Sequence, residues 1–555
     1  MVRLRRYAVP VWALALAVAL LGPALGPGYL LTYDMVWVPD LALRSDFLGL
    51  GTALPRAVPS DAVVAVLDTV VPGMLLQKTM LLGALVLGGL GAAGLAGTST
   101  VARLVAVSVY LWSPYVVERL WMGHWPLLLC WAVLPWLVRE GGRIRSDPRI
   151  GAALPALLLL GSLSANAGLL AAATLLAVGA TRRSAVRLVA LVAAANAPWV
   201  IAGLLHLDAA TSSAAGAVFG LGDEGPLPGP VAALTLGGIW NAEVVPASRE
   251  LVVLPLVLTA VLVSLAAIGA RPLARRLGRR TTLAMVGLWV AGYALAVLSW
   301  AAPDAVGWLV ANVPAGGLLR DGARSLALCA PLTAAVVAEG VARLAARGPT
   351  AVVATAGILL PLAFLPDAAW GVSGELRPVD YPAEWAQARA ELGSGRGDLL
   401  VLPFTSYRAP EWNRGRKVLD PLPRYLEPNY VVNDQLAIDG AVVAGEDPRA
   451  PAVLDALALP NAEDRAIALG RLGIGAVVLD RTAPTNEVYS APVAGTVVHD
   501  GAGLQVTLLE APVADRAASS LVGRVALGAG WLAFLGLVAL MTWNVFQIVG
   551  SRMRT

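Results

Sequence analysis

Apolar segments long enough to cross a lipid bilayer recur along most of this chain of 555 residues. A membrane-spanning helix needs about 20 predominantly apolar residues. Here 57% of the residues are hydrophobic and only 14% are charged, whereas a soluble domain carries about 25% charged residues. We therefore predict a polytopic α-helical membrane protein with about twelve transmembrane helices, near residues 8–26, 74–97, 101–117, 124–138, 151–164, 167–181, 187–206, 250–269, 281–300, 324–343, 350–367 and 519–548.

Arginine residues cluster in short loops on one side of this predicted arrangement. Arg3, Arg5 and Arg6 precede the first span, which places the N-terminus in the cytoplasm by the positive-inside rule. We expect a multi-pass protein of the plasma membrane with both termini in the cytoplasm. The first span also resembles a secretory signal peptide, and its cleavage would leave the later topology unchanged. Counted alternately, the other basic clusters fall on the same side: Arg103; Arg139, Arg143, Arg145 and Arg149; Arg182, Arg183 and Arg187; Arg271, Arg275, Arg276, Arg279 and Arg280; Arg343 and Arg347; Arg552 and Arg554.

Cysteines and common catalytic motifs contribute little to the interpretation. Only Cys130 and Cys329 occur, both inside apolar runs, so a disulfide framework is not expected. The sequence has no CxxC, HExxH, Walker or GxSxG motif, which removes the commonest soluble-enzyme interpretations. Because the arginines lie in short loops and form no continuous basic face, we expect no nucleic-acid partner.

The first predicted outer loop holds the carboxylates of greatest interest. Asp34 and Asp40 lie six residues apart within it, on either side of Trp37. A carboxylate that is partly removed from water at the membrane surface can have a raised pKa and accept a proton from an attacking hydroxyl. Asp34 and Asp40 are therefore candidate bases. The alternative is that they are solvated loop residues or ion-pair partners of Arg56.

The second predicted outer loop combines aromatic and ionisable residues. Its tryptophans could form an aromatic belt at the membrane surface. Glu118, Arg119 and His124 are harder to explain in that way, because ionisable groups at the ends of spans often serve in binding or proton transfer. We therefore predict that these three residues contribute to a substrate-binding site.

Arg320, Asp321 and Arg324 lie at the start of the tenth predicted span. Two guanidinium groups at a helix start oppose the local helix dipole. They are better explained by an anionic partner, such as a phosphate or pyrophosphate head group. The alternative is an ordinary intramolecular pairing with Asp34 or Glu118.

Towards the C-terminus the hydrophobic runs shorten and charged residues become more frequent. Alternating helix and strand patterns there predict a small α/β layer. The stretch 405–435 mixes cations with aromatic residues and could hold an acidic glycan or a lipid phosphate, or be a solvated loop. We predict a multispanning domain at 1–369 with long outer loops at 27–73, 207–249 and 301–323, an extracytoplasmic α/β domain at 370–518, and a last span with a short basic tail at 519–555.

This topology resembles the GT-C class of integral membrane glycosyltransferases, which use polyprenyl-phosphate sugars as donors. The segments 118–125 and 319–324 resemble those of actinobacterial cell-envelope mannosyl- or arabinosyltransferases and of YfhO-type proteins. In this class an aspartate of the first outer loop acts as general base, which implies Asp34, with Asp40 second. The loop lacks an Asp-x-Asp pair, so the resemblance leaves open whether a divalent cation takes part. The composition, rich in Ala, Val, Leu and Arg, suggests a high-GC actinobacterium.

The resemblance implies transfer of a mannose- or arabinose-class sugar from a polyprenyl-phosphate donor to an envelope glycan or lipid acceptor on the outer face. Membrane lipids, the donor and the acceptor would be the partners. One alternative is a flippase or transporter of lipid-linked precursors, and another is a non-enzymatic scaffold for wall assembly. In the transferase hypothesis the candidate substrate-binding residues are Glu118, Arg119, His124, Arg320, Asp321 and Arg324.

Overall fold

The structure, a computed structural model, is mainly helical and describes residues 2–147, 149–207, 212–394, 397–438, 440–484, 491–516 and 520–552. Two 3-10 helices, Gly316–Leu319 and Gly322–Leu328, matter for the site. The α-helices are α1 (Val2–Leu21), α2 (Ser60–Asp68), α3 (Gly73–Leu95), α4 (Thr100–Leu111), α5 (Pro114–Trp121), α6 (Trp125–Ser146), α7 (Leu154–Gly161), α8 (Ala165–Gly179), α9 (Ala185–Leu204), α10 (Ala214–Val218), α11 (Gly229–Leu234), α12 (Ala247–Glu250), α13 (Val253–Leu277), α14 (Arg279–Ala301), α15 (Pro303–Asn312), α16 (Ala330–Ala345), α17 (Thr350–Phe364), α18 (Ala369–Gly374), α19 (Ala383–Leu392), α20 (Leu422–Tyr425), α21 (Ala450–Leu457), α22 (Ala462–Arg471) and α23 (Leu521–Arg552).

Several helices are long and apolar enough to cross a membrane. Within the described residues there are seven such helices, or up to nine if each of two bent helix pairs crosses as one span. The bent pairs are Gly322–Leu328 with α16, at 46°, and α17 with Pro366–Gly374, at 73°. The seven cover Tyr7–Leu25, Gly73–Leu95, Thr100–Trp121, Ala185–Leu204, Val253–Leu277, Arg279–Ala301 and Leu521–Gln547.

These helices confirm a multi-pass membrane protein, but they do not confirm twelve spans. Helices do lie at all twelve predicted positions. However, α7 has only 8 residues and α8 only 15, which is shorter than the roughly 20 residues that a span needs. A stretch of apolar sequence predicts a helix, but its length and its breaks decide whether that helix can cross the bilayer alone.

The bundle packs through small residues and presents an apolar exterior. Where α13 crosses α16, a Cβ on Gly269 or on Gly340 would collide with the backbone of the other helix. Such small residues let membrane helices approach closely. Large apolar side chains on the outside stay exposed, among them Val253, Val522 and Phe546. An apolar exterior of this kind suits contact with lipid tails.

The C-terminal region contains the small sheet that the sequence predicted. The four main strands run in the order β1-β6-β8-β7, with β1 and β6 parallel and the other neighbours antiparallel. The short antiparallel pair β2-β3 lies within the stretch 405–435, and the pair β4-β5 lies just beyond its end. The strands are β1 (Asp398–Leu402), β2 (Tyr407–Arg408), β3 (Val418–Leu419), β4 (Leu436–Ile438), β5 (Ala441–Val443), β6 (Ile474–Asp480), β7 (Gly495–Asp500) and β8 (Leu504–Leu509).

Strand β1 shows how the sheet is covered on both faces. Successive side chains of a strand point to opposite faces. Leu400 and Leu402 pack with Val453 of α21 and Leu469 of α22. Leu399 and Val401 belong instead to the large core that also contains Trp385, Ala388 and Leu392 of α19. The sheet is therefore the middle layer of an α/β arrangement, whereas its position on the outer side of the membrane stays a prediction.

A histidine between two carboxylates ties α19 to the sheet. His499 Nδ1 lies 2.6 Å from Glu391 Oε2, and its Nε2 lies 3.2 Å from Glu384 Oε1. Burial lowers the pKa of His499, but the hydrogen bonds and charges of the two glutamates outweigh burial and raise it above the usual value. A group with a raised folded-state pKa stabilises the fold below its unfolded pKa of about 6.5, and this stabilisation is lost as the pH rises through the folded-state pKa.

We expect thermal unfolding of the purified protein in detergent to occur at lower temperature as the pH rises above about 6.5. The substitution His499→Gln should remove this part of the pH dependence. His206→Gln is the matched control, because the His206 ring is hydrogen-bonded to the carbonyls of Ala202 and Gly51 and to no carboxylate among the described residues. If the unfolding temperature of the wild type and of His499→Gln depended on pH in the same way, the stabilising role of the His499 contacts would be contradicted.

Candidate active site

A cavity of about 1130 Å³ lies where the loop at 27–73, the ends of several helices and the C-terminal region meet. One part of its wall is polar and includes Asp34, His124, Arg320, Arg324 and Tyr407. Another part is apolar and is formed by the last turns of α9, the residues that follow it, the end of α15 and the segment after α15: Trp199, Val200, Leu204, Leu207, Val310, Val313 and Leu318. The cavity can therefore hold a ligand with a charged end and an apolar end.

Backbone pairing fixes the position of Asp34. The Tyr33 N–H donates to the Lys417 carbonyl at 2.8 Å, and the Leu419 N–H donates to the Tyr33 carbonyl at 2.8 Å. Tyr33 has a φ of 39°, an unusual value for a residue with a side chain. Strained residues of this kind persist where the surroundings hold them, often at functional sites. The loop at 27–73 is therefore joined to β3 in the C-terminal region.

The same loop packs directly on the turn that leads into α6. The Asp34 N–H donates to the Met122 carbonyl at 3.1 Å. Gly123 has a φ of 84°, and a Cβ at this position would collide with Met35. A glycine is needed there both for its backbone conformation and for the close approach of the loop. This contact brings Asp34 next to His124, the residue that follows Gly123.

Asp34 and His124 form a hydrogen-bonded pair at the cavity surface. His124 Nε2 lies 3.1 Å from Asp34 Oδ2, and its Nδ1 lies 3.2 Å from Arg119 Nη1. A guanidinium can only donate, so Nδ1 acts as the acceptor and Nε2 carries the proton donated to Asp34. The His124 ring is buried, whereas 37% of the Asp34 side chain is exposed towards the cavity. His124 thus holds the Asp34 carboxylate in position, and the exposed part of that carboxylate is accessible to a ligand in the cavity.

Tyr407 of β2 binds the other oxygen of the same carboxylate. Its hydroxyl donates to Asp34 Oδ1. Burial raises the pKa of Asp34, but the hydrogen bonds from His124 and Tyr407 and the charge of Arg324 outweigh burial, so the pKa lies below its usual value. Burial and the neighbouring Asp34 raise the pKa of Tyr407 well above its usual value. Asp34 is therefore ionised at neutral pH, and Tyr407 keeps its proton.

Behind His124 lies a buried group of alternating charges. Arg119 donates to Asp321 through Nη1 and Nη2 at 3.1 and 3.3 Å, and Arg324 Nε lies 2.9 Å from the same carboxylate. Burial raises the pKa of Asp321, but Arg119 and Arg324 outweigh burial and lower it to about 2. Asn166 accepts a hydrogen bond from Arg324 Nη1 at 2.7 Å in the amide orientation that satisfies both of its groups. These contacts fix the Arg119 guanidinium that faces His124.

Arg320 belongs to a second charged group on the cavity wall. Its Nη1 lies 2.9 Å from Glu446 Oε1, and Arg56 contacts both Glu446, at 2.6 Å, and Asp434, at 3.0 Å. Burial and the nearby Arg56 lower the pKa of Arg320. The Arg320 guanidinium also lies 5.2 Å from the centre of the Phe219 ring. A bound anion would reduce the repulsion between these two guanidiniums.

The structure brings most of the predicted site residues together, but not all of them. Asp34, His124, Arg320 and Arg324 line the cavity, and Arg119 and Asp321 lie directly behind it. The two arginines pair with Glu446 and Asp321, and not with Asp34 or Glu118.

Asp40 and Glu118 lie outside this set. Asp40 is exposed and is not part of the cavity wall. Glu118 is buried beside the ion pair of Glu224 and Arg249, and its Oε1 has no hydrogen-bond partner among the described residues. Neither side chain therefore faces the cavity that Asp34 faces.

The C-terminal region contributes side chains to the site that the sequence does not connect with Asp34 or Arg320. Tyr407 and Glu446 contact Asp34, Arg56 and Arg320 across more than a hundred residues of sequence. The mixture of aromatic and basic residues at 405–435 is the one signal in the sequence, and it predicts either an anionic ligand or a solvated loop without connecting Tyr407 to Asp34. Among the described residues, no group of three or more His, Cys, Asp or Glu side chains is placed to hold a metal ion.

The fold is similar to that of a solved bacterial enzyme. The arabinofuranosyltransferase AftD from mycobacteria, determined by single-particle cryo-electron microscopy, matches with a TM-score of 0.54 at 18% sequence identity. The match covers 92% of this chain and 40% of AftD, so this chain spans well under half the length of that protein. No family model and no curated protein matches the sequence. The likeness supports a membrane-glycosyltransferase-like fold, and the finer resemblance to YfhO-type proteins stays a prediction.

Breaking the buried pair behind His124 should be strongly destabilising. We expect Arg119→Met to lower the free energy of unfolding by about 3 to 5 kcal/mol, because it leaves the charge of Asp321 buried and less compensated. Arg143→Met is the matched control, since Arg143 pairs with Glu140 near the surface and such pairs contribute about 0 to 1 kcal/mol. Unfolding in detergent measures both, and equal losses would contradict a stabilising role for the buried pair.

Proposed function

We propose that this protein transfers a sugar of the mannose or arabinose class from a polyprenyl-phosphate donor to a cell-envelope glycan or lipid on the outer face of the membrane. The observation that carries the proposal is the placement of Asp34. Its carboxylate is held by two hydrogen-bond donors at one end of a cavity that also contains Arg320, Arg324 and an apolar wall. The likeness of the fold to the arabinofuranosyltransferase AftD supports the same class of reaction.

The first step assigned to the chain is acceptance of a proton. Each carboxylate oxygen of Asp34 accepts one hydrogen bond and retains a further lone pair for the hydroxyl of the acceptor. The acceptor oxygen forms a bond to the anomeric carbon, the bond from that carbon to the phosphate oxygen breaks, and the hydroxyl proton passes to Asp34. The polyprenyl phosphate leaves with the bonding electrons.

A lowered pKa makes Asp34 a weak base, and this fits the expected transition state. Reactions at an anomeric carbon pass through a transition state with oxocarbenium character. The acceptor hydroxyl becomes acidic only as its oxygen bonds to that carbon, so a weak but fully ionised base is sufficient. The Nε2–H of His124 keeps the carboxylate in place while it gains the proton.

The two arginines on the cavity wall suit the leaving phosphate. Arg320 and Arg324 each use part of the guanidinium for an ion pair, and a guanidinium has five N–H donors. Remaining donors can bind phosphate oxygens, where negative charge grows as the sugar departs. The apolar wall formed by Trp199, Leu204 and Val313 suits the first isoprene units of the lipid.

The substitution Asp34→Asn should abolish transfer, because the amide cannot accept the proton. A positioned general base contributes about 10² to 10⁴ in rate, so we expect a loss of at least about a hundredfold. The test is complementation of a deletion strain, followed by mass spectrometry of its envelope glycans and lipid-linked sugars. Asp40→Asn is the matched control, since it changes an aspartate of the same loop that lies outside the cavity wall.

A missing glycan with accumulated donor in the Asp34→Asn strain would support transfer. Full activity of Asp34→Asn, present in the membrane at normal levels, would discard the assignment. Precursor trapped on the inner leaflet of the deletion strain would favour the flippase hypothesis instead. Normal envelope glycans in the deletion strain would contradict both.

Tyr407→Phe should shift the pH dependence of transfer. The Tyr407 hydroxyl stabilises the charged form of Asp34, so removing it raises the pKa of Asp34. We expect the acidic limb of the pH-rate profile, measured with membranes and lipid-linked donor, to move to higher pH. An unchanged acidic limb would show that Asp34 is not the titrating base. Tyr430→Phe is the control, since Tyr430 is also in the C-terminal region but does not line the cavity.

A further inference from the structure

A second concave region lies far from the cavity and is lined by arginines. It has a volume of about 550 Å³ and is formed where α3, α6 and α13 end and α14 begins. No acidic side chain lines it among the described residues. Five of its lining residues are arginines, which we call the basic pocket: Arg139, Arg145, Arg276, Arg279 and Arg280.

Helix α3, one of the seven helices long and apolar enough to cross a membrane, begins beside the loop that carries Asp34 and ends at Leu95 in the basic pocket. Helix α6 runs between the cavity and the basic pocket in the same way. Trp125, its first residue, lines the cavity, and Ser146, its last, lines the basic pocket. The helix has 22 residues, which at 1.5 Å per residue gives a length of about 33 Å. The hydrocarbon core of a bilayer is about 30 Å thick. The basic pocket therefore lies at head-group depth on the face away from Asp34.

The protein itself neutralises few of these charges. Arg276 pairs with Glu339 at 2.7 Å and donates to the Leu95 carbonyl at the end of α3. The Arg145 Nε is buried and has no hydrogen-bond partner among the described residues. Arg139 lies 5.0 Å from the centre of the Trp136 ring. Four of the five arginines are exposed residues, and all five surround a common space.

Close helix packing supports the arrangement of Arg139. A Cβ on Gly94 of α3 would collide with the Arg139 guanidinium, and a Cβ on Gly91 would collide with the Trp136 ring. The two glycines therefore give the side chains room to lie against α3. The apolar residues Leu95, Val138 and Leu277 complete the lining of the basic pocket.

We propose that the basic pocket binds the phosphate head group of an anionic membrane lipid. Guanidiniums bind phosphate oxygens through paired, charge-assisted hydrogen bonds, and basic pockets between membrane helices are suited to such head groups. The apolar residues in the lining and the position at head-group depth favour a lipid over a soluble phosphate ester. This binding is independent of the proposed transfer reaction.

The test uses the full-length protein, purified in detergent and analysed by native mass spectrometry after addition of phosphatidylglycerol or phosphatidylcholine. Each guanidinium near a membrane surface contributes roughly fivefold in affinity for an anionic lipid. The double variant Arg139→Gln, Arg280→Gln should therefore retain phosphatidylglycerol about 25-fold less well. Arg183→Gln is the matched control, since Arg183 is an exposed arginine outside the basic pocket.

Preferential retention of phosphatidylglycerol by the wild type and by Arg183→Gln, but not by the double variant, would support the proposal. Gly94→Ala should weaken retention as well, because it displaces Arg139 without removing a charge. Equal retention by the double variant and Arg183→Gln would overturn the proposal. If glycerol 3-phosphate displaced phosphatidylglycerol at a concentration similar to that of the lipid, the proposal that the bound phosphate belongs to a membrane lipid would be overturned.

Discussion

The pairing of Tyr33 with β3 is the contact on which the candidate site depends. It connects residues almost 400 positions apart in the chain, through two backbone hydrogen bonds that do not depend on the side chain of Tyr33. Without this pairing, the loop that carries Asp34 would not be held against both the bundle and the C-terminal region. With it, one oxygen of Asp34 meets His124 from the bundle and the other meets Tyr407 from β2.

Burial of charge explains the arrangement around this contact. In a region of low dielectric constant an unpaired charge is costly, so each charge must have an opposite charge or a donor beside it. A chain of contacts satisfies this requirement, because each group is bonded to the next: Asp34, His124, Arg119, Asp321 and Arg324. Asp34, His124 and Arg324 line the cavity, whereas Arg119 and Asp321 lie behind it. The two buried groups therefore fix the direction of the three that can meet a ligand.

The sequence predicted the helices better than the spans. Runs of apolar residues identify a helix at each of the twelve positions, because a buried or lipid-facing helix must be apolar over its length. They do not show that α7 is too short to cross alone or that α17 bends by 73° before α18. In the C-terminal region, β6, β7 and β8 lie close to the strands that the sequence predicts at 473–480, 495–500 and 504–510, since each is a short apolar or β-branched run between turns.

For the site, local reasoning found residues but not their partners. Three residues can be identified from the sequence, because placing an ionisable group beside an apolar span is energetically unfavourable and usually serves a function: Asp34, His124 and Arg320. Their partners Tyr407 and Glu446 are ordinary residues of a polar stretch, and only the tertiary fold brings them to the cavity. The same limit applies to Asp40, which lies in the same loop as Asp34 but is not part of the cavity wall.

Helix α6 links the two charged regions of the molecule and bears on its orientation. Its first residue lies at the cavity and its last at the basic pocket, so the two regions must lie on opposite sides if the helix crosses the membrane. An excess of arginine favours the cytoplasmic side, which would direct the cavity outward. Transfer to an envelope acceptor requires that same direction. The charge at one end of α6 and the chemistry proposed at the other thus support a single orientation, although they depend on different residues.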